Sequence, residues 1–306
     1  PVTVKNISLK VPAGWTAAPA SEPAQPETGF RPRRENAFNA SFFNVTAPAD
    51  AKPTEPYWLD TPRKNFNFDW QPDDTKNMPF QPALIAAEAL IELGGEEIAV
   101  RRDVQYRYAD DIRGEIRREV VIVPRVSVAL DSNLIVAPAS AKPTKHKMVV
   151  SVTNNAASEA KGTVKFNLPA GWTTAPAAAD FVLKKRGEKT AVSFELTIPA
   201  NARTDDYRLI ANAALDGKTY DQTMQVIAYP HIQTHRRYSR AEVAAKILDL
   251  KIAPVRVGYI MGSGDKVPEA IQRLGVPVTM LEEKDLSTCD LARFYTIVVG
   301  VRASQF

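Results

Sequence analysis

The chain has 306 residues, a length that suggests about two domains or three small ones. Hydrophobic residues at 44% and charged residues at 24% are ordinary globular composition, which excludes intrinsic disorder and collagen-like repeats. The net charge of +4 is spread along the chain, and its densest clusters, Arg31-Arg33-Arg34 and Arg113-Arg117-Arg118, are too short to argue for nucleic acid as a partner.

No apolar run approaches the roughly 18 residues that a membrane-spanning helix needs. No charged-then-apolar leader opens the chain, so it reads as a mature protein or an excised fragment. A single cysteine, Cys289, permits no intrachain disulfide.

Proline is unevenly placed. Thirteen of the 23 prolines precede residue 83. Proline lacks a backbone N–H and stops helices and central strands alike. Residues 1–123 therefore read as a β-sandwich with long Pro-rich loops, with strands over 2–11, 37–46 and, more weakly, 66–70. Residues 83–93 are rich in Ala, Leu and Glu, which favour helix. They nevertheless run into Gly94-Gly95, a hairpin signal, and then into the alternating stretches 98–102 and 104–108, so a strand is expected. Asp110, Asp111 and Gly114 turn the chain before an apolar strand over 120–123.

Residues 124–229 alternate more cleanly. Val192, Phe194, Leu196 and Ile198 face one way, and Ser193, Glu195 and Thr197 the other. A period of two marks a half-buried antiparallel strand. Strands recur about every 10 residues, with Asn154-Asn155, Gly187 and Asp216-Gly217 at the turns, the spacing of a sandwich.

An internal repeat links the two regions. Ile7-Ser8-Leu9-Lys10-Val11-Pro12-Ala13-Gly14-Trp15-Thr16 matches Val164-Lys165-Phe166-Asn167-Leu168-Pro169-Ala170-Gly171-Trp172-Thr173. The spacing is too long for a solenoid. It fits two sandwiches of one type, the first enlarged by insertions and without its leading strands. The two tryptophans could stack on sugar; a ring plugging the sandwich edge is the commoner use of such a residue.

After Tyr229-Pro230 the pattern changes. Residues 240–248 read as a short helix with Ser239 as its cap. An apolar strand over 255–261 is followed by Gly262-Ser263-Gly264-Asp265, a helix over 267–274, and strands over 276–281 and 295–299. Strand, glycine turn, helix and strand make a βαβ unit of a parallel sheet. Residues 230–306 are about half of a complete doubly wound domain, so this flavodoxin-like α/β domain reads as truncated.

Several groups invite chemistry. Gly262, Ser263 and Gly264 follow a strand and precede a helix, where backbone N–H groups can hold an anion. The dinucleotide fingerprint needs another glycine where Val267 stands, and a tight turn capped by Asp265 is the plainer reading. Cys289 has no histidine after it to act as a base and reads as structural. His231 and His235 are four residues apart, but Pro230 and Thr234 point to a linker rather than to a metal-binding helix. Tyr57, Trp58, Phe66, Phe68 and Trp70, with Arg63 and Lys64 among them, form the densest aromatic cluster. Tyr57, Trp58, Arg63 and Trp70 are the glycan-contact candidates, against the alternative that the aromatics anchor a long loop.

Two stretches carry a family resemblance. One runs from Arg256-Val257-Gly258-Tyr259-Ile260-Met261-Gly262-Ser263-Gly264-Asp265 to Val298-Val299-Gly300-Val301-Arg302-Ala303. The other is Val104-Gln105-Tyr106-Arg107-Tyr108-Ala109-Asp110 with Gly114-Glu115-Ile116-Arg117-Arg118. Both resemble the C-terminal half of large bacterial PIG-L (LmbE-like) deacetylases. The resemblance implies Ig-like accessory domains, similar to the alpha-galactosidase-associated type, followed by a class I glutamine amidotransferase-like domain. It also implies a zinc-dependent N-acetylsugar deacetylase domain upstream. That family's zinc motif is His-Pro-Asp-Asp-Glu with a distant His-x-x-His. Here Gln71-Pro72-Asp73-Asp74-Thr75 keeps only its middle, and an amide replaces the imidazole ligand.

The sequence thus points to a mainly β chain of two antiparallel sandwich domains and a truncated α/β domain. The implied function is the noncatalytic accessory region of an exported PIG-L-like deacetylase. Its partners would be its own upstream catalytic domain and glycan, its location periplasmic or secreted, and its zinc outside this chain. The alternatives are a stand-alone carbohydrate-binding or adhesion module, and an enzyme whose site lies at the strand ends of the C-terminal domain.

Overall fold

A computed structural model describes residues 2–22, 40–61, 63–68, 78–288 and 290–303. Trp70, the Gln71-Pro72-Asp73-Asp74-Thr75 segment, the Arg31-Arg33-Arg34 cluster and Cys289 lie outside the described residues. The chain divides into two compact units, Pro1–Pro124 with Gln225–Tyr238, and Arg125–Met224 with Ser239–Phe306.

The first unit contains β1 (Val2–Lys10), β2 (Thr16–Ala20), β3 (Phe42–Thr46), β4 (Ala86–Leu93), β5 (Glu96–Asp103), β6 (Gln105–Asp110) and β7 (Gly114–Glu119). These strands form a three-stranded antiparallel sheet β1-β4-β5 and the ribbons β2-β3 and β6-β7. Gly94 and Gly95 connect β4 to β5 with φ of 63° and 91°. Two positive φ values in a two-residue loop match the twist of a hairpin, and only glycine adopts them freely. One sheet face is polar and stitched by the ion pairs Lys5–Glu92 and Lys10–Glu88. The other carries Val4, Ile7 and Leu9 opposite Ile91, Ala89 and Ala87, all only half-buried.

Two strand expectations fail in this unit. Residues 66–70 were expected as a strand, but Lys64 and Asn67 bridge each other around the left-handed Asn65 (φ 53°), so Phe66 sits at a turn. Residues 120–123 form no strand. Ile122 pairs with Thr54 instead, its N–H donating to Thr54 Oγ1 (2.8 Å) and its carbonyl accepting from Thr54 N–H (2.9 Å).

The second unit contains β8 (Val126–Leu130), β9 (Leu134–Pro138), β10 (Thr144–Asn154), β11 (Ala160–Asn167), β12 (Thr173–Ala175), β13 (Ala178–Leu183), β14 (Lys189–Ile198), β15 (Asp205–Leu215) and β16 (Lys218–Tyr220). β17 (Gln222–Ile227) and β18 (His235–Arg240) pair as a ribbon most of whose residues belong to the first unit, and β19 (Glu242–Leu248) lies in the second. One sheet has the order β12-β14-β10-β8; the other has β13-β11-β15-β19-β9, with β16 on β15. Their inner faces share one core. Val150, Val152, Leu196, Val164, Leu209, Ala213 and Ala245 are completely buried in it. The Phe166 and Phe194 rings meet edge to face, centroids 5.3 Å apart. Each such Val or Leu side chain contributes about 1.5–3 kcal/mol on burial. The alternation expected for 192–198 is present, with Phe194, Leu196 and Ile198 buried. Asn154, also buried, is satisfied at its turn: its amide donates to the Ser158 and Leu183 carbonyls, and its oxygen accepts from Ala156 N–H.

Residues 240–248 are not a helix. Arg240 ends β18, and 242–248 form β19, antiparallel to β15 and parallel to β9. Ala, Lys and Leu favour helix locally, but Val243, Ala245 and Ile247 fall on one side of a strand and fill the sandwich core. Burial against β15 and β9 outweighs local propensity.

The C-terminal part is a small parallel sheet of β20 (Val257–Ile260), β21 (Val278–Leu281) and β22 (Thr296–Val299), in the order β21-β20-β22. The helix α1 (Val267–Arg273) connects β20 to β21, as expected. The short helix α2 (Glu283–Thr288) occupies what read as loop. The molecule is mainly β, with several antiparallel sheets and this one parallel sheet. Among the described residues no helix is long and apolar enough to cross a membrane.

Candidate functional site

The aromatic cluster of the first unit is built on Pro56, whose fixed φ of −55° opens a 3-10 turn over Tyr57–Leu59. Tyr57 and Trp58 meet edge on at 5.1 Å, and the Tyr57 hydroxyl donates to the Met78 carbonyl (3.0 Å). Trp58 lies 6.2 Å from His235, and His235 stacks on Phe80 at 5.4 Å and 19°. His235, expected in a linker, starts β18 and is the hub of this cluster. Tyr57 and Trp58 are half-buried, whereas Phe66 is 93% exposed. The Arg63 guanidinium lies 6.0 Å from the Phe68 ring centroid.

The other basic cluster sits on the β6–β7 hairpin, and each of its cations has a partner. Arg113 bonds Asp110 (3.0 Å), Arg117 bonds Glu115 (2.6 Å), and Arg118 donates to the Tyr108 hydroxyl (3.0 Å). Arg113 holds the Asp110 carboxyl at about 2, well below the usual carboxylate range, helped by the Arg113 and Ile112 amides.

At the carboxyl ends of the parallel strands, Gly262, Ser263 and Gly264 form the loop after β20. Ser263 N–H donates to the Val301 carbonyl (2.9 Å). A Cβ on Gly262 would collide with that same carbonyl, so only glycine allows the turns after β20 and β22 to touch. The loop holds a carboxylate of its own. Asp265 Oδ1 accepts from the Tyr259 hydroxyl (2.6 Å) and Val267 N–H (3.0 Å), and Oδ2 from Val301 N–H (3.3 Å). The bond lowers the Asp265 carboxyl and pushes the Tyr259 hydroxyl up to about 12. An anion entering this loop meets the Asp265 charge.

The structure also assembles what sequence spacing does not reveal. A cavity of about 600 Å³ in the second unit is lined by Lys145, His146, Arg256 and Arg273 together with Ile252 and Pro277. Lys145 is paired with Glu195 (2.6 Å). His146 Nε2 is buried without a hydrogen-bond partner among the described residues, and burial lowers the imidazole pKa. Lys145 and His146 are neighbours on β10, whereas Arg256 and Arg273 lie more than 100 residues further on, so no local motif links the four. A second cavity, of about 460 Å³, lies beside Trp15 in the first unit. Among the described residues no group of three or more His, Cys, Asp or Glu could hold a metal ion.

The two facing sheets of the second unit have the architecture of a β-sandwich module. Residues 142–216, within the sandwich of the second unit, match the family model described as the NPCBM-associated, NEW3 domain of alpha-galactosidase. No curated protein matches the chain. Among solved structures, native alpha-2-macroglobulin of Escherichia coli is similar at 11% identity and a TM-score of 0.26, over 53% of this chain and 8% of that one. The periplasmic chaperone SfaE is similar at 18% identity and a TM-score of 0.22, over 42% of this chain and 61% of that one. A family 123 glycoside hydrolase from Clostridium perfringens is similar at 10% identity and a TM-score of 0.24, over 49% and 32%. The chain thus spans less than two thirds of each of these three structures.

Proposed function

We propose that this chain is the noncatalytic accessory region of an exported, PIG-L-like, zinc-dependent N-acetylsugar deacetylase. Its sandwiches position an upstream catalytic domain, and the aromatic loop of Tyr57, Trp58 and Arg63 contacts glycan. The observation that carries this reading is the match of residues 142–216 to the accessory domain of alpha-galactosidase. The resemblance of 104–118 and 256–303 to PIG-L proteins narrows it to a deacetylase. The reading places the protein in the periplasm or outside the cell, and its zinc in the catalytic domain rather than here.

The coding sequence ahead of Pro1 tests the proposal. A domain with His-Pro-Asp-Asp-Glu and a distant His-x-x-His is the expected finding. A different catalytic domain, or none, overturns the deacetylase reading. The purified chain is expected to release no acetate from N-acetylated sugars, with or without zinc, because Gln71 and Thr75 stand where the zinc motif has His and Glu. Zinc-dependent acetate release that disappears in Asp73→Ala would contradict this.

A further inference from the structure

The Pro-Ala-Gly-Trp turn is built twice, and only one of its tryptophans is covered. In the second unit Trp172 is 6% exposed and lies against the Tyr207 ring, centroids 5.0 Å apart at 45°. The Tyr207 hydroxyl donates to the Arg203 carbonyl (3.0 Å), which holds the ring in place. Arg203 follows Pro199 and the left-handed Asn201 (φ 54°).

The first unit repeats the turn, its strand pairing and the following proline, Pro48. Ile7 faces Ala89 as Val164 faces Ala213, and Thr16 faces Thr46 as Thr173 faces Thr197. Counting residues back from that register, the sequence position that corresponds to Tyr207 is Ala83, which lies ahead of β4 and carries no ring. The segment after Pro48 also takes another course and is tied to Ile122 through Thr54. Trp15 is left half-buried in the wall of an open cavity of about 460 Å³, with Pro48, Asp50, Lys52, Leu84 and Ile122.

We infer that this cavity is a subsite for one neutral pyranoside unit. Its volume lies within the roughly 300–1,000 Å³ of small-ligand sites. Trp15 supplies an aromatic face for the apolar C–H face of a sugar ring. Asp50 and Lys52 are exposed, and neither has an ion-pair partner among the described residues. One is an acceptor and the other a donor for hydroxyl groups. Side by side they give the cavity no net charge. A neutral, polyhydroxylated ring satisfies all three side chains. The inference rests on the reading of this chain as an accessory region of a carbohydrate-active enzyme.

The test is titration of the intact chain with N-acetylglucosamine, chitobiose and cellobiose, read at the four indole N–H signals by NMR after assignment with single Trp→Phe variants. A saturable shift at Trp15 is expected with at least one sugar, independently of any response at Trp58, which lies in the other proposed contact loop. Asp50→Ala, an exposed change that leaves the core intact, is expected to weaken it by about tenfold. Trp172→Phe is expected to leave it unchanged. Silence at Trp15 with all three sugars, whether or not Trp58 or Trp70 responds, or full binding by Asp50→Ala would each overturn the site. The accessory reading is tested separately by the upstream coding sequence. A catalytic domain unrelated to carbohydrate would sink that reading without changing the titration, and a silent Trp15 would sink the site without changing the reading.

Discussion

Gly14 and Gly171 hold the same left-handed backbone, φ 79° and 81°, each one residue ahead of a tryptophan. The Trp15 amide closes its turn on the Pro12 carbonyl at 3.1 Å, and the Trp172 amide closes on Pro169 at 3.2 Å. A Cβ on either glycine would meet a proline ring, that of Pro48 at 4.0 Å or Pro199 at 3.8 Å. The repeat therefore includes a partner segment. Phe43-Asn44-Val45-Thr46-Ala47-Pro48-Ala49-Asp50 corresponds to Phe194-Glu195-Leu196-Thr197-Ile198-Pro199-Ala200-Asn201, in the same pairing register.

The two tryptophans should differ in what they contribute. Trp172→Ala leaves a cavity in a closed core and is expected to cost about 3–5 kcal/mol. Trp15→Ala removes a half-buried ring and should cost about half as much. Equilibrium denaturation of the two variants checks the difference; equal losses would mean that Trp15 is as tightly packed as its counterpart.

Two glycines of the β20 loop should respond in opposite order to their spacing. Gly262→Ala drives a methyl into the Val301 carbonyl and should open the contact between the turns after β20 and β22. Gly264→Ala has open space around it and meets only the strain of φ 83°, about 1–2 kcal/mol. Proteolysis of residues 255–303 is the readout, with Gly262→Ala the more susceptible variant.

Asp110 predicts a pH dependence at the β6–β7 turn. Its folded carboxyl lies at about 2, below the roughly 3.9 of an unfolded chain. The unfolded state therefore binds the proton first. The carboxylate's contribution is fully present above about pH 4 and drains away as the pH falls toward 2. In Arg113→Gln the Asp110 midpoint, followed by carboxyl NMR, should move up toward the ordinary value; an unmoved midpoint would show that the turn amides alone hold it.

Hydrogen exchange should separate β3 from its counterpart β14. The strand β14 is flanked by β10 and β12, whereas among the described residues β3 pairs only with β2. Phe194 and Leu196 are buried, but Phe43 and Val45 are half-buried. Amides of 42–46 should exchange faster than those of 192–198. Comparable protection would mean that a further strand covers β3.

Local pattern by itself determined the period-two strands over 164–168 and 192–198, the Gly94-Gly95 hairpin and the parallel trio β20, β21 and β22. In each case the signal lies in consecutive residues: alternation, two positive φ values, or an apolar run before a glycine turn. It also determined that Pro-Ala-Gly-Trp is one turn used twice. Tertiary structure decided the rest. Residues 242–248 have helix-favouring composition and became β19 because β15 and β9 bury Val243, Ala245 and Ile247. His235 joined Trp58 and Phe80 across a long stretch of chain, and Lys145, His146, Arg256 and Arg273 met in one cavity. Trp15 stayed half-buried beside Leu84 and Ile122, neighbours that no pattern near the tryptophan encodes. A turn is dictated by the few residues that form it, whereas a site depends on which distant side chains the folded backbone brings into contact.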